Sequence, residues 1–285
     1  MEPIDNIQNV LKKLNEKDSR QVLTSIEAEQ WDLIPREDKE RYLTDLISRP
    51  VAFGCPAIGI IYTWYFRWKW IEALKSIHKE DAITVYEVGP GGSDIIPQAV
   101  DKAFDSSESR YITSNLNKEL TAIFKSKTQN LSLNIQVIED DAVNMNEVIP
   151  DNSVDAVVFE HSVNDVIETI LAEKNGIDTV NSDWMNILEP ITEIENREYS
   201  ANTLEANAKT EFLSLIHSCI KVLKPGGFIV CAHYQFQDNL DLGLNPELNE
   251  NYLNIARGWI NSANIGKEVF VDGYNPRWWL FIQKQ

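Results

Sequence analysis

A chain of 285 residues with 43% hydrophobic content can bury the core of one large domain, or of a domain carrying an added lobe. Its 44 acidic against 26 basic residues give a formal charge of −18, which repels phosphate backbones and anionic lipid and argues against nucleic-acid and membrane partners. Cys55, Cys219 and Cys231 are odd in number and widely spaced, so they indicate neither a disulfide framework nor a cysteine zinc site and fit a reducing cytoplasmic setting.

Residues 4–14 have helical spacing, and Pro35-Arg36-Glu37-Asp38-Lys39 opens a helix that continues through Leu43, Leu46 and Ile47. The opening Met-Glu-Pro-Ile-Asp-Asn has no basic region ahead of an apolar core, so no secretory signal is expected. The longest apolar stretch, 50–66, contains Gly54, Pro56 and Gly59 and is shorter than a membrane span. An aromatic cluster follows: Tyr62, Trp64, Tyr65, Phe66, Trp68 and Trp70, interrupted by Arg67 and Lys69. Helical spacing puts Tyr62, Phe66 and Trp70 on one face, which most simply packs against a core. The functional alternative is that Tyr62 or Tyr65 covers a ligand site and offers a phenol to a substrate. This helical lobe, 1–80, is expected to precede a core of 81–285.

From residue 83 onward, short apolar runs at 85–88, 111–114, 135–138, 154–159 and 228–232 alternate with helical segments. That alternation predicts an α/β fold: a parallel sheet with helices on both faces. Two last runs, 268–271 and 278–282, flank Asp272-Gly273-Tyr274-Asn275-Pro276 and predict an antiparallel pair at one edge. After the fourth strand the spacing stretches over an acidic insertion, 163–202, with Trp184 and Met185 as apolar points in its middle. It is either a helical lid over a site or a solvated excursion.

The run Val85-Tyr86-Glu87-Val88-Gly89-Pro90-Gly91-Gly92-Ser93 reads as a buried strand that breaks into a glycine-rich turn. Gly89 and Gly91 can take positive φ and admit a ligand close to the main chain, while Pro90 stiffens the loop. A plain strand-to-helix connection uses the same residues. A dinucleotide site would need glycine at Asp94 and an acid on the next strand, and both are missing. The four histidines, His78, His161, His217 and His233, lack His-x-x-x-His spacing, so no metal site is expected. His161 follows the fourth strand, where substrates meet ligands in open α/β sheets, and is the candidate general base; orienting a loop is its alternative. Glu160 beside it reads as a cofactor-side or structural carboxylate. Asn164 and Asp165 either bind a polar acceptor or cap a helix. His233 and Tyr234 close the fifth strand at the same edge and can line an acceptor pocket or sit satisfied under a loop.

The order of motifs resembles the class I S-adenosylmethionine-dependent methyltransferases: Glu87-Val88-Gly89-Pro90-Gly91-Gly92-Ser93, then Asp140-Asp141-Ala142, Val154-Asp155-Ala156-Val157-Val158-Phe159-Glu160, and Leu223-Lys224-Pro225-Gly226-Gly227-Phe228. The resemblance covers residues 83 to 285. It implies a seven-stranded Rossmann-like sheet with the seventh strand inserted antiparallel and S-adenosyl-L-methionine as cofactor. It also implies that Glu87 lies near the cofactor's methionine amino end, with the Gly89, Pro90, Gly91, Gly92 and Ser93 backbone beneath its methionine and ribose portion. Asp141 and Ala142 would meet the adenine edge. Asn115 ends the second strand where the family usually has an acid gripping both ribose hydroxyls; its amide donates as well as accepts. The function implied is methylation of a small-molecule acceptor at oxygen or nitrogen, with His161 as base, Glu160 near the cofactor, and Tyr62, Tyr65, Asn164, Trp184, His233 and Tyr234 around the acceptor. A protein or peptide methyltransferase, and a silent binding module that keeps the fold, are the alternatives. Acceptor identity and oligomeric state stay open.

Overall fold

Five strands, β1 (Thr84–Val88), β2 (Arg110–Ser114), β3 (Asn134–Ile138), β4 (Val154–Glu160) and β5 (Leu223–Ala232), pair in parallel, and β6 (Lys267–Glu268) and β7 (Trp279–Gln283) complete the sheet. Its order is β3-β2-β1-β4-β5-β7-β6, with β7 antiparallel to both neighbours. This computed structural model describes residues 7–16 and 19–285. The expected first helix begins within them as α1 (Ile7–Leu14); residues 4–6 lie outside the described residues.

Buried strands covered on both sides must send apolar side chains to both faces, and these do. Tyr86, Ile112 and Val157 face one core, whereas Val85, Tyr111 and Val158 face the other. The expected edge strand at 268–271 is shorter: β6 has two residues, although Val269 still donates to the Phe281 carbonyl at 2.9 Å. Phe270 beyond it is 75% exposed, and a short edge strand limits association with other chains. β5 starts earlier than expected because Lys224 anchors the Leu223-to-Phe228 segment. Its Nζ donates to Asp155 Oδ1 at 2.7 Å, and Asp155 Oδ2 takes the Thr84 amide at 2.8 Å.

The first core packs under α7 (Val163–Lys174), α9 (Leu204–Val222) and α11 (Pro246–Ser262). Between them run α8 (Trp184–Ser200), which makes the insertion helical, and the short α10 (Gln237–Asp241). The second face is covered by α2 (Ser25–Leu33), α3 (Arg36–Ser48), α4 (Pro56–Ile77), α5 (Ile95–Ala103) and α6 (Lys118–Thr128).

Helix α4 departs from the one-faced packing its spacing suggests. Trp64 and Trp70 are both fully buried on opposite sides, Trp64 stacking on Trp31 of α2 at 5.2 Å and Trp70 meeting Trp279 of β7 edge-on at 5.0 Å. A helix apolar all round is a buried helix. Here it is sandwiched between the N-terminal helices and the sheet, and one hydrophobic cluster runs from α1 to β7 without a break. Among the described residues no helix is long and apolar enough to cross a membrane.

Candidate functional site

The sheet order reverses between β1 and β4, and a crevice opens there beyond the carboxyl ends of the strands, where open α/β sheets bind ligands. β1 ends at Val88 and the chain turns at Gly89 (φ 60°) and Gly91 (φ 56°), both in the left-handed region that side chains resist. A Cβ at Gly89 would meet only Ser162 Cβ at 3.7 Å, so backbone conformation rather than space demands glycine. The Gly89 amide donates to the Ser114 carbonyl at 3.0 Å, and Ser162 Oγ donates to the Val88 carbonyl at 2.6 Å, tying the turn to β2 and to the end of β4.

Asn115 accounts for its own presence. Its Nδ2 donates to the Gly91 carbonyl at 2.8 Å while its main-chain amide donates to Ile138 O at 3.1 Å. A carboxylate has no proton to give Gly91, so an acid here would lose the bond that holds the turn. The amide oxygen stays available on the cavity wall.

Gly89, Gly91, Asn115, Asp141, Ala142 and Trp184 border one cavity of about 280 Å³. Asp141 precedes the short 3-10 turn Ala142–Glu147 and accepts the Val143 amide through Oδ1 at 2.9 Å, which aims the start of that turn at the cavity. Trp184, expected beside an acceptor, borders this cavity from the first turn of α8. Asp140, Asp165, Glu173 and Glu211 also line it, and no lysine or arginine does among the described residues. Such a wall opposes the pyrophosphate of a dinucleotide and favours a cation.

A second cavity, of about 530 Å³, meets the first at Gly89 and Asp165. Pro90, Gly92 and Ser93 form its turn side, and Tyr62, Glu160 and His161 form the opposite side. Glu160 is 7% exposed and accepts the Tyr62 hydroxyl at 3.2 Å. Burial pushes its pKa up to about 7, against the opposing pull of that hydroxyl. Burial also raises the Asp165 carboxyl well above its ordinary range, reinforced by the charges of Glu168 and Glu160.

His161 holds a left-handed backbone (φ 52°) and sits between His233, stacked at 5.1 Å, and Phe236, edge-on at 4.1 Å. Its Nδ1 accepts the Tyr234 amide at 3.4 Å, so the neutral ring carries its proton on Nε2. Burial, and then His233, depress its pKa well below the usual value.

Other expected residues stand behind the walls, bordering neither cavity. Glu87 is 1% exposed and takes the Tyr111 hydroxyl, since alternation along β1 turns it towards the α4 face. Asn164 is buried and bridges Asp165 and Glu168, donating at 2.7 and 3.1 Å. His233 Nε2 lies 2.9 Å from the Asn249 carbonyl. Tyr65 packs on Phe66 at 4.7 Å, and Tyr234 packs on Phe66 at 3.6 Å. Phe53 and Phe236 are among the residues of the second cavity that carry no sequence signal. They meet because Val51 pairs with Phe236 as an isolated bridge, donating to Gln235 O and accepting from Gln237 N at 2.7 and 2.6 Å.

No family model matches the sequence, and no curated protein does. Among solved structures, the chain is similar to a SAM dependent methyltransferase from Aquifex aeolicus at 13% identity, covering 76% of this chain and 89% of that one, with a TM-score of 0.47. It is similar to a possible exported protein from Bordetella parapertussis at 12% identity, covering 98% and 95%, with a TM-score of 0.43. With TrmN from Thermus thermophilus it shares 13% identity over 62% of this chain and 40% of that one, with a TM-score of 0.35. The sheet order with its reversed β7, and the glycine turn that ends β1, give this chain the class I S-adenosylmethionine-dependent methyltransferase fold.

Proposed function

We propose that the chain is an S-adenosylmethionine-dependent methyltransferase acting on a small molecule at nitrogen or oxygen, with Glu160 receiving the acceptor's proton. The observation that carries this reading is the junction of two cavities at Gly89 and Asp165, one walled by the glycine turn and one by a buried carboxylate. When bound, the cofactor supplies a methyl group on a positively charged sulfur, open to displacement by an acceptor lone pair. Gly89 and Gly91 would lie beneath it, Asn115 Oδ1 would accept from its hydroxyls, and Asp141 with the Ala142 amide would meet its base. The fit is electrostatic as well as steric, because the carboxylates around the first cavity suit a cation.

The acceptor's proton goes to Glu160 rather than to His161 in this reading. A carboxylate with a pKa of about 7 is half ionised at neutral pH and so is matched to proton transfer. His161, with Nδ1 occupied by the Tyr234 amide, offers the cavity an N–H and would orient the acceptor by donating to it. The −18 charge and the carboxylates at the second cavity favour a small guest over a nucleic acid.

Incubating the protein with methyl-labelled cofactor and a cell extract tests this. Label is expected in the low-molecular-mass fraction, insensitive to ribonuclease and protease. Label confined to RNA or to a protein band would replace the small-molecule acceptor with that macromolecule.

A further inference from the structure

We propose that the second cavity selects a cationic guest, a small amine held as its ammonium form between an aromatic wall and two carboxylates. This rests on the methyltransferase reading and names the acceptor class for it.

Three rings from two parts of the chain meet at that cavity. Phe53 lies 5.3 Å from Tyr62 and 5.4 Å from Phe236, and Tyr62 lies 6.0 Å from Phe236, at interplanar angles of 68°, 45° and 41°. Packed on one another, the tilted rings form one wall of the cavity, and an exposed π face on such a wall attracts ammonium groups. Glu160 and Asp165 border the same space, and neither forms an ion pair with a described lysine or arginine. The nearby cations are otherwise engaged: Lys127 lies at the exposed rim and donates to the Gly92 carbonyl at 2.7 Å, and Arg67 is directed at Glu27 and Asp94. Each of the two carboxylates ionises against the other's charge, a cost that a cationic guest offsets and a neutral one does not. The rings alone would accept any apolar guest; the uncompensated carboxylates decide the sign of the charge.

The test compares two probes of nearly equal shape, choline and its uncharged isostere 3,3-dimethylbutan-1-ol. Each is titrated calorimetrically into the full chain, first alone and then after saturation with S-adenosylhomocysteine. Choline is expected to bind at least about tenfold more tightly than the alcohol. That margin should collapse in Glu160→Gln and shrink in Phe236→Leu, with both variants checked for native circular dichroism. Equal affinity, tighter binding of the alcohol, or no binding of either probe overturns the proposal. Absence of heat from S-adenosylhomocysteine counts against the methyltransferase reading alone, since choline preference is read in its absence too.

Discussion

Glu160→Gln is expected to lower kcat by about 10²- to 10⁴-fold while leaving S-adenosylhomocysteine affinity nearly unchanged. Glutamine keeps the shape and can still accept from the Tyr62 hydroxyl, but it cannot take a proton. The first cavity, which Glu160 does not border, stays intact. The pH profile follows from the same residue. Only the ionised carboxylate accepts a proton, so kcat/KM should rise with pH, level off above about 7, and lose that limb in the variant. Stability runs the other way. The folded pKa lies above the ordinary 4.5, so the contribution of protonated Glu160 is complete below about 4.5 and lost as pH rises through about 7. The site therefore acquires its base over the same pH range in which the fold is weakened by it. A variant that keeps wild-type turnover and the same limb would move the proton acceptor elsewhere, with Asp165 next in line.

The second large effect is structural. Arg67→Ala is expected to cost about 3–5 kcal/mol, because Arg67 is fully buried and its loss strands the groups it serves. The guanidinium donates to the Val22 carbonyl at 2.9 Å and to Glu27 at 2.6 and 3.1 Å, and lies 3.7 Å from Asp94. Glu27 in turn completes the capping box of α2, accepting the Thr24 amide at 2.7 Å. One side chain thus ties the N-terminal helices to the residue that follows the glycine turn. Burial alone would raise the Glu27 pKa, but the Arg67 contacts outweigh it and hold the carboxyl below its ordinary 4.5. Its stabilisation is present above that value and lost as pH falls through the lowered one. Urea unfolding at neutral pH reads the loss, and Arg67→Met with Glu27→Met should cost less than Arg67→Ala alone. A cost under about 1 kcal/mol for Arg67→Ala would mean that the buried charge finds another partner.

Local pattern made the sheet legible. Strands β1 to β4 end within a residue or two of their apolar runs, since a strand covered on both faces needs little beyond continuous Val, Ile and Tyr. The turn at Gly89 and Gly91 was readable for a similar reason, as positive φ leaves few residue choices. Elsewhere the decisive contacts are tertiary. Spacing in α4 suggested one packed face, because nothing local reveals that Trp31 and Trp279 approach from opposite sides. Nor could the part Asn115 plays in the turn be read until its bond to Gly91 was seen. Phe53 and Phe236 share a cavity only through the Val51 bridge, which no periodicity encodes. Trp184 was legible as an apolar point in an acidic stretch, but its cavity depends on the path of the chain from α7 to α8.

Calorimetric titration of the purified chain with S-adenosylhomocysteine addresses the central claim most directly. One site per chain is expected, weakened by Asp141→Ala and indifferent to Glu160→Gln, because Asp141 borders the first cavity and Glu160 does not. No heat from this ligand, or saturable binding of NAD in its place, would contradict the account.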